Sequence, residues 1–260
     1  MGINVNNVRA TPTRVGGFNG SAFVPVINGQ HRRFTWGTCR VNLAPAVANG
    51  VNCLSPAGAA LGDTIFLPYL QDGICSVRLP DAGNATANGV NSFLTADMSG
   101  CKVFIDRVTG SNDLIVYHAN NVSNSPPGNA GALNPVLQLP ACTMTLAQLH
   151  ATAAGHYPAL AAPHTAVPVV ATEISKPIYN IGAAAEVQRK TTQGRTNVEF
   201  LGGTVVFGVV AGASWEFYYQ TWGSTSYTRP RTAPLRLFSG AQHDPMNSHN
   251  WKVLGFARFF

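Results

Sequence analysis

Charge is scarce: Asp, Glu, Lys and Arg together make up 11% of the 260 residues, against about a quarter in ordinary soluble domains. Surface polarity must therefore come from Asn, Gln, Ser, Thr and the backbone. There is no long basic run. The 17 Lys and Arg are scattered, in pairs such as Arg32-Arg33 and Arg189-Lys190, with a looser set at Arg229, Arg231 and Arg236. The net charge of +6 thus speaks for solubility or an acidic macromolecular partner, and against direct nucleic-acid binding. No CxxC is present, and the five cysteines (Cys39, Cys53, Cys75, Cys101, Cys142) are odd in number and widely spaced. That argues against a disulfide framework and a structural zinc site, and suits free thiols in a reducing cytosol. The longest apolar run, TVVFGVVAGA at 204–213, is too short to span a bilayer. MGINVNNVRATPTRVGG at the start has no apolar core, so no secretory signal is expected, and Asn6 stands where myristoylation needs Ser or Thr.

Several chemistries lack their residues as well. There is no HExxH, no G-x-S-x-G elbow, no P-loop and no close carboxylate pair of the glycosidase kind. His243-Asp244 with His249 is the nearest metal-like grouping, and it falls short of ligand spacing. No cofactor or metal is expected.

What is abundant is Gly (26), Pro (17) and hydrophobic residues (45%). This composition favours an α+β, mainly β chain: a β-sandwich core flanked by one or two helices and long loops, in a single domain over 1–260. Residues 1–20 read as an irregular lead-in. Strands are expected at SAFVPVI (21–27), RRFTWGTCRVNL (32–43), DTIFLPYL (63–70), CKVFID and DLIVYHA. Residues 81–92 and 120–140 read as loops. TMTLAQLHATAAG (143–155) reads as a helix capped by Thr143 or Thr145 and ended at Gly155. After a Pro/Ala-rich loop, 198–222 reads as two paired strands joined at Ala211-Gly212-Ala213, and APLRLF and WKVLGFARFF as final strands.

The chemistry concentrates in SFLTADMSGCKVFIDRVTGSNDLIVYHANN, 92–121. A hairpin turning between Thr109 and Gly110 pairs Cys101 with His118, Val103 with Val116 and Ile105 with Leu114, all on one face. An imidazole beside a thiol favours the nucleophilic thiolate and supplies an acid and base for acyl chemistry. Ser99 and Gly100 are small enough to let a substrate approach, and the backbone N–H groups near Gly100 and Cys101 suit an oxyanion hole. Equally, a cysteine in such a strip serves as a small buried hydrophobe. Spacing alone leaves both readings open.

FLTADMSGCKVF, followed by a histidine at the end of the next apolar strand, resembles the cysteine glutamine-deamidase toxins, the family of Burkholderia lethal factor and the catalytic domain of cytotoxic necrotizing factor. IFLPYL, GGTVVFG and YYQTWGSTS echo it more loosely. The specific similarity spans about the middle third of the chain. The first 60 and last 30 residues have no clear counterpart, and the Cys–His separation is longer here. The resemblance implies a β-sandwich flanked by helices, with Cys101 as nucleophile, His118 as its base, and Thr95 orienting the histidine. It implies deamidation of a host-protein glutamine without cofactor, with a translation-initiation RNA helicase favoured over a Rho-type GTPase. A soluble monomer is expected, made in a bacterial cytoplasm and acting in a host cytosol, with no direct nucleic-acid or membrane partner. The rivals are a transglutaminase using the same thioester and a non-catalytic β-sandwich binding or adhesion module.

Overall fold

The computed structural model describes residues 2–16, 23–28, 31–58, 61–70, 73–108, 110–120, 142, 144–153, 172–230, 243–247 and 250–260. Two mixed sheets account for most of them. The larger runs β1 (Thr13–Val15), β5 (Val51–Gly58), β4 (Arg40–Ala48), β6 (Thr64–Leu67), β8 (Ser92–Thr95), β12 (Thr196–Ala211), β13 (Ser214–Pro230), β14 (His243–Asn247), with β15 (Lys252–Arg258) also on β13. The smaller runs β11 (Thr172–Ile174), β9 (Lys102–Arg107), β10 (Leu114–Asn120), β7 (Gly73–Leu79), β3 (His31–Thr35), β2 (Val26–Asn28). Pairing is antiparallel except at β1–β5, β6–β8 and β3–β7. The chain is mainly β, as its composition implies.

Alternation decides what each sheet buries. Cys75, Val77, Val103, Ile105, Leu114 and Val116 of the smaller sheet enter one core with Ile65, Phe93, Leu94, Val206 and Phe207 of the larger. The intervening residues Ile74, Phe104, Ile115 and Tyr117 point the other way and pack with Leu149. The sandwich core therefore lies between the sheets, and a smaller core lies outside the second sheet under α3 (Leu146–Ala153).

The long ribbon of β12 and β13 follows the expected pattern. Ala211 pairs with Ser214, so the turn is the two residues Gly212-Ala213, and Gly212 takes φ +61°, a left-handed conformation that glycine adopts without a steric penalty. Thr145 caps α3 as expected. Gln148 N donates to Thr145 Oγ1 (3.3 Å) while Thr145 N donates to Gln148 Oε1 (2.8 Å), a reciprocal capping box.

Elsewhere the structure corrects the sequence reading. The expected loop at 81–92 contains α2 (Ala82–Ala87), nucleated by Asp81, whose side chain accepts from Asn84 N. The irregular lead-in contains α1 (Val5–Ala10), capped by Asn4, and then β1. RRFTWGTCRVNL is interrupted by a turn in which Thr38 N and Cys39 N both donate to Thr35 O. Strands β5 and β7 and helices α4 (Lys176–Tyr179) and α5 (Ile181–Thr192) were not anticipated. The described residues thus hold five helices rather than one or two. The 21–27 strand is seen as Val26–Asn28. The final strand appears as β15, whereas APLRLF and the expected loop residues 121–140 lie outside the described residues.

Candidate active site

The hairpin of β9 and β10 turns one residue later than a turn between Thr109 and Gly110 requires. Val108 N donates to Asp113 O (3.0 Å) and Ser111 N to Val108 O (3.3 Å), with Gly110 at φ +78°. Asp113 therefore closes the loop, and every rung slips by two: His118 faces Val103, and Ala119 faces Lys102. Direct opposition of Cys101 and His118 is thus corrected. An even slip preserves parity, however. Cys101, just before β9, stays on the face of Val103, diagonal to His118. On its other flank His118 directly faces Cys75 of β7.

That face is the interior one. Cys101 is 4% exposed and His118 fully buried, with the Tyr69 ring centroid 6.2 Å from the imidazole. Both ring nitrogens of His118 lack a hydrogen-bond partner among the described residues, so thiol and imidazole are not bonded to each other. Burial holds the imidazole down from 6.5 to about 4 and pushes the Cys101 thiol up to about 12. Cys75 is likewise raised to about 12 by burial. The resting pair is therefore neutral. Moving the proton from sulfur to imidazole is uphill while the site stays closed, because burial disfavours both charged forms.

One local feature opposes that burial. The backbone N–H groups of Gly100, Ser99 and Cys101 all favour a charged Cys101 sulfur, as a run of amides forming an anion nest does. The strand start is also held on both sides. Cys142 N donates to Gly100 O (2.7 Å), and Tyr179 Oη donates to Cys101 O (3.2 Å). Tyr179, the last residue of α4, is itself anchored through its carbonyl, which accepts from Thr221 Oγ1 (2.6 Å). Between these elements lies a cavity of about 10 Å³ lined by Met98, Ser99, Tyr179, Thr204 and Thr221, roughly the room of one water.

Thr95 lies on β8 in the other sheet, fully buried. Its hydroxyl proton is shared between Ala96 O (3.0 Å) and Val206 O (3.3 Å), and no hydrogen bond joins it to His118. Ser99 is half-buried and Gly100 buried. Tyr179 and Cys75 escaped the sequence reading because nothing in their local context marks them; only the fold brings them to Cys101. Two further histidine contacts lie outside the inner core: His31 Nε2 with Ser76 Oγ (2.7 Å) and His150 Nε2 with Asp106 Oδ2 (2.6 Å). No group of three or more His, Cys, Asp or Glu suited to a metal occurs among the described residues. No helix among them is long and apolar enough to cross a membrane. No protein-family model matches the chain, and no curated protein matches it.

Proposed function

We propose that the protein is a cysteine-dependent glutamine deamidase acting on a protein substrate. The observation that carries this reading is the placement of Cys101 and His118 on one face of one hairpin, with His118 opposite Val103 and Cys101 diagonal to it. Cys101 Sγ attacks Cδ of a glutamine carboxamide as its proton passes to His118, and the oxyanion is stabilised by the amides of 99–101. The intermediate collapses with loss of ammonia, which takes the proton back from the imidazolium. Water, deprotonated by His118, then attacks the thioester. The thiol leaves with that proton, and the product is glutamate. No metal enters these steps. Burial of both groups means that the chain around 99–101 must open for a carboxamide to reach Sγ. The family resemblance favours a host translation-initiation helicase as substrate over a Rho-type GTPase.

The same burial favours a second reading, a non-catalytic β-sandwich module in which Cys101 is core. The two separate in one experiment. Wild type, Cys101→Ser and His118→Ala proteins are incubated with eukaryotic cell extract, and Gln-to-Glu conversion is mapped by mass spectrometry. A site converted by wild type and by neither variant supports the deamidase; adding a primary amine and finding amide exchange there would redefine it as a transglutaminase. No conversion, with wild type and variants alike, leaves the binding module.

A further inference from the structure

The chain crosses from the larger sheet to the smaller between β8 and β9, and Cys101 lies at the end of that crossing. Both ends of the crossing are fixed. Met98 N donates to Thr204 O (2.7 Å) and Thr204 N to Met98 O (3.0 Å), while Lys102 enters the ladder opposite Ala119. The arc between them, Ser99, Gly100 and Cys101, belongs to no strand. Among the described residues two hydrogen bonds reach this arc from other elements: Cys142 N donates to Gly100 O (2.7 Å), and Tyr179 Oη donates to Cys101 O (3.2 Å). Only the second comes from a side chain.

The tyrosine is itself tied back to the fixed end of the arc. Thr204 and Thr221 are directly opposed on β12 and β13, and their hydroxyl oxygens are 3.0 Å apart. Thr221 gives its one hydroxyl proton to Tyr179 O (2.6 Å), so Thr204 is the donor to Thr221. The direction of the whole path follows. Thr204 donates to Thr221, Thr221 to the Tyr179 carbonyl, and the Tyr179 hydroxyl to the Cys101 carbonyl. The two Met98–Thr204 bonds close this path into a ring, and Met98, Ser99, Tyr179, Thr204 and Thr221 of that ring line the cavity of about 10 Å³. Tyr179 is 3% exposed, so lifting the arc parts a buried hydroxyl from its acceptor, which disfavours the open form.

We propose that Tyr179 is a positioning residue that latches the 99–101 arc shut, and that release of its hydroxyl from Cys101 O is the step that uncovers the thiol. What the uncovered thiol then does rests on the deamidase reading; the latch itself does not. The test is labelling of the full chain with iodoacetamide under native conditions at mildly alkaline pH, with each cysteine followed by mass spectrometry. Where reclosing outpaces labelling, the rate tracks the population of the open form. Tyr179→Phe keeps the ring and removes the bond, so Cys101 should label about fivefold faster. Two other buried thiols report wider unfolding: Cys39, in the turn after β3, and Cys75, in the middle of β7 between β3 and β10. Their rates should stay within about twofold of wild type. Thr221→Val cuts the tie to Tyr179 without touching the arc, and should accelerate Cys101 about twofold with the same two thiols unmoved. That variant carries the test if Tyr179→Phe fails to fold. Unchanged labelling of Cys101 overturns the proposal, and so does equal acceleration of all three thiols, which would make Tyr179 a general stabiliser of the fold. Absence of Gln-to-Glu conversion in cell extract, with the selective labelling observed, would remove the deamidase reading and leave the latch standing.

Discussion

Replacing His118 by Leu removes a fully buried imidazole whose two nitrogens make no hydrogen bond among the described residues. The replacement keeps the site apolar and nearly fills it. In the folded protein burial keeps the ring neutral down to about pH 4, whereas the unfolded chain protonates it near the ordinary 6.5. Between those two values the unfolded state binds more protons. The stability that neutral His118 contributes is therefore complete above pH 6.5 and is lost as pH falls toward 4. The loss amounts to ~3 kcal/mol, and the leucine variant does not suffer it. The wild-type curve alone will not display this. Asp97, whose Oδ1 accepts from Val15 N, has its carboxyl raised to about 7 by burial, so its contribution falls as pH rises through an overlapping window. The difference between variant and wild type isolates the histidine. Urea unfolding followed by tryptophan fluorescence should place the two proteins within about 1 kcal/mol at pH 7.5. At pH 4.5 the variant should gain ~2–3 kcal/mol on wild type, roughly 1 M in midpoint. A difference that does not change with pH, or an NMR titration of His118 centred near 6.5, would refute the burial argument.

Three other measurements bear on different parts of the molecule. With its thiol near 12 instead of the usual 9.0, Cys101 should react with iodoacetamide at pH 7.5 about a thousandfold more slowly than a free cysteine. Mass-spectrometric labelling kinetics check this, and preferential labelling of Cys101 would show that the closed arrangement is not the resting one. Gln220 accepts from Thr13 N (2.7 Å) and donates to Thr11 O (2.9 Å) and Val8 O, so Gln220→Ala strands buried backbone groups. It should cost ~2–4 kcal/mol and open residues 2–16 to limited proteolysis; a midpoint within error of wild type would refute that anchoring role. A Cβ on Gly223 would overlap the Phe200 ring, so Gly223→Ala should cost ~1–3 kcal/mol. Adding Phe200→Leu should cost less than the sum of the two single changes, and strict additivity would rule out the clash.

The parts of the fold that alternation encodes were readable. The β12–β13 ribbon, its Gly-Ala turn and the C-terminal strand follow from runs such as TVVFGVV and VLGFARFF, in which packing and propensity agree. Helix α2 was hidden because GNATAN is poor in helix formers, and one aspartate cap outweighs that composition. Helix α5 is hidden because IGAAAEVQRKTT follows a Pro/Ala-rich stretch and carries no side-chain cap at its start. At the candidate site the shared face of Cys101 and His118 was legible, since parity survives any even slip. The slip itself was not, because it depends on which carbonyl Val108 chooses in the turn. Nor was the burial: a single hairpin does not reveal which of its faces a second sheet will cover.

The tie between Thr13 and Gln220 joins residues 207 positions apart, and this orders events during synthesis. The first helix and strand leave the ribosome early, yet the side chain that fastens them has not been made. At roughly 10 residues per second it follows about 20 s later. Until then the leading segment has the parallel pairing of β1 with β5 and the bond from Val15 N to Asp97 to hold it, so its full docking belongs to the last stage of folding.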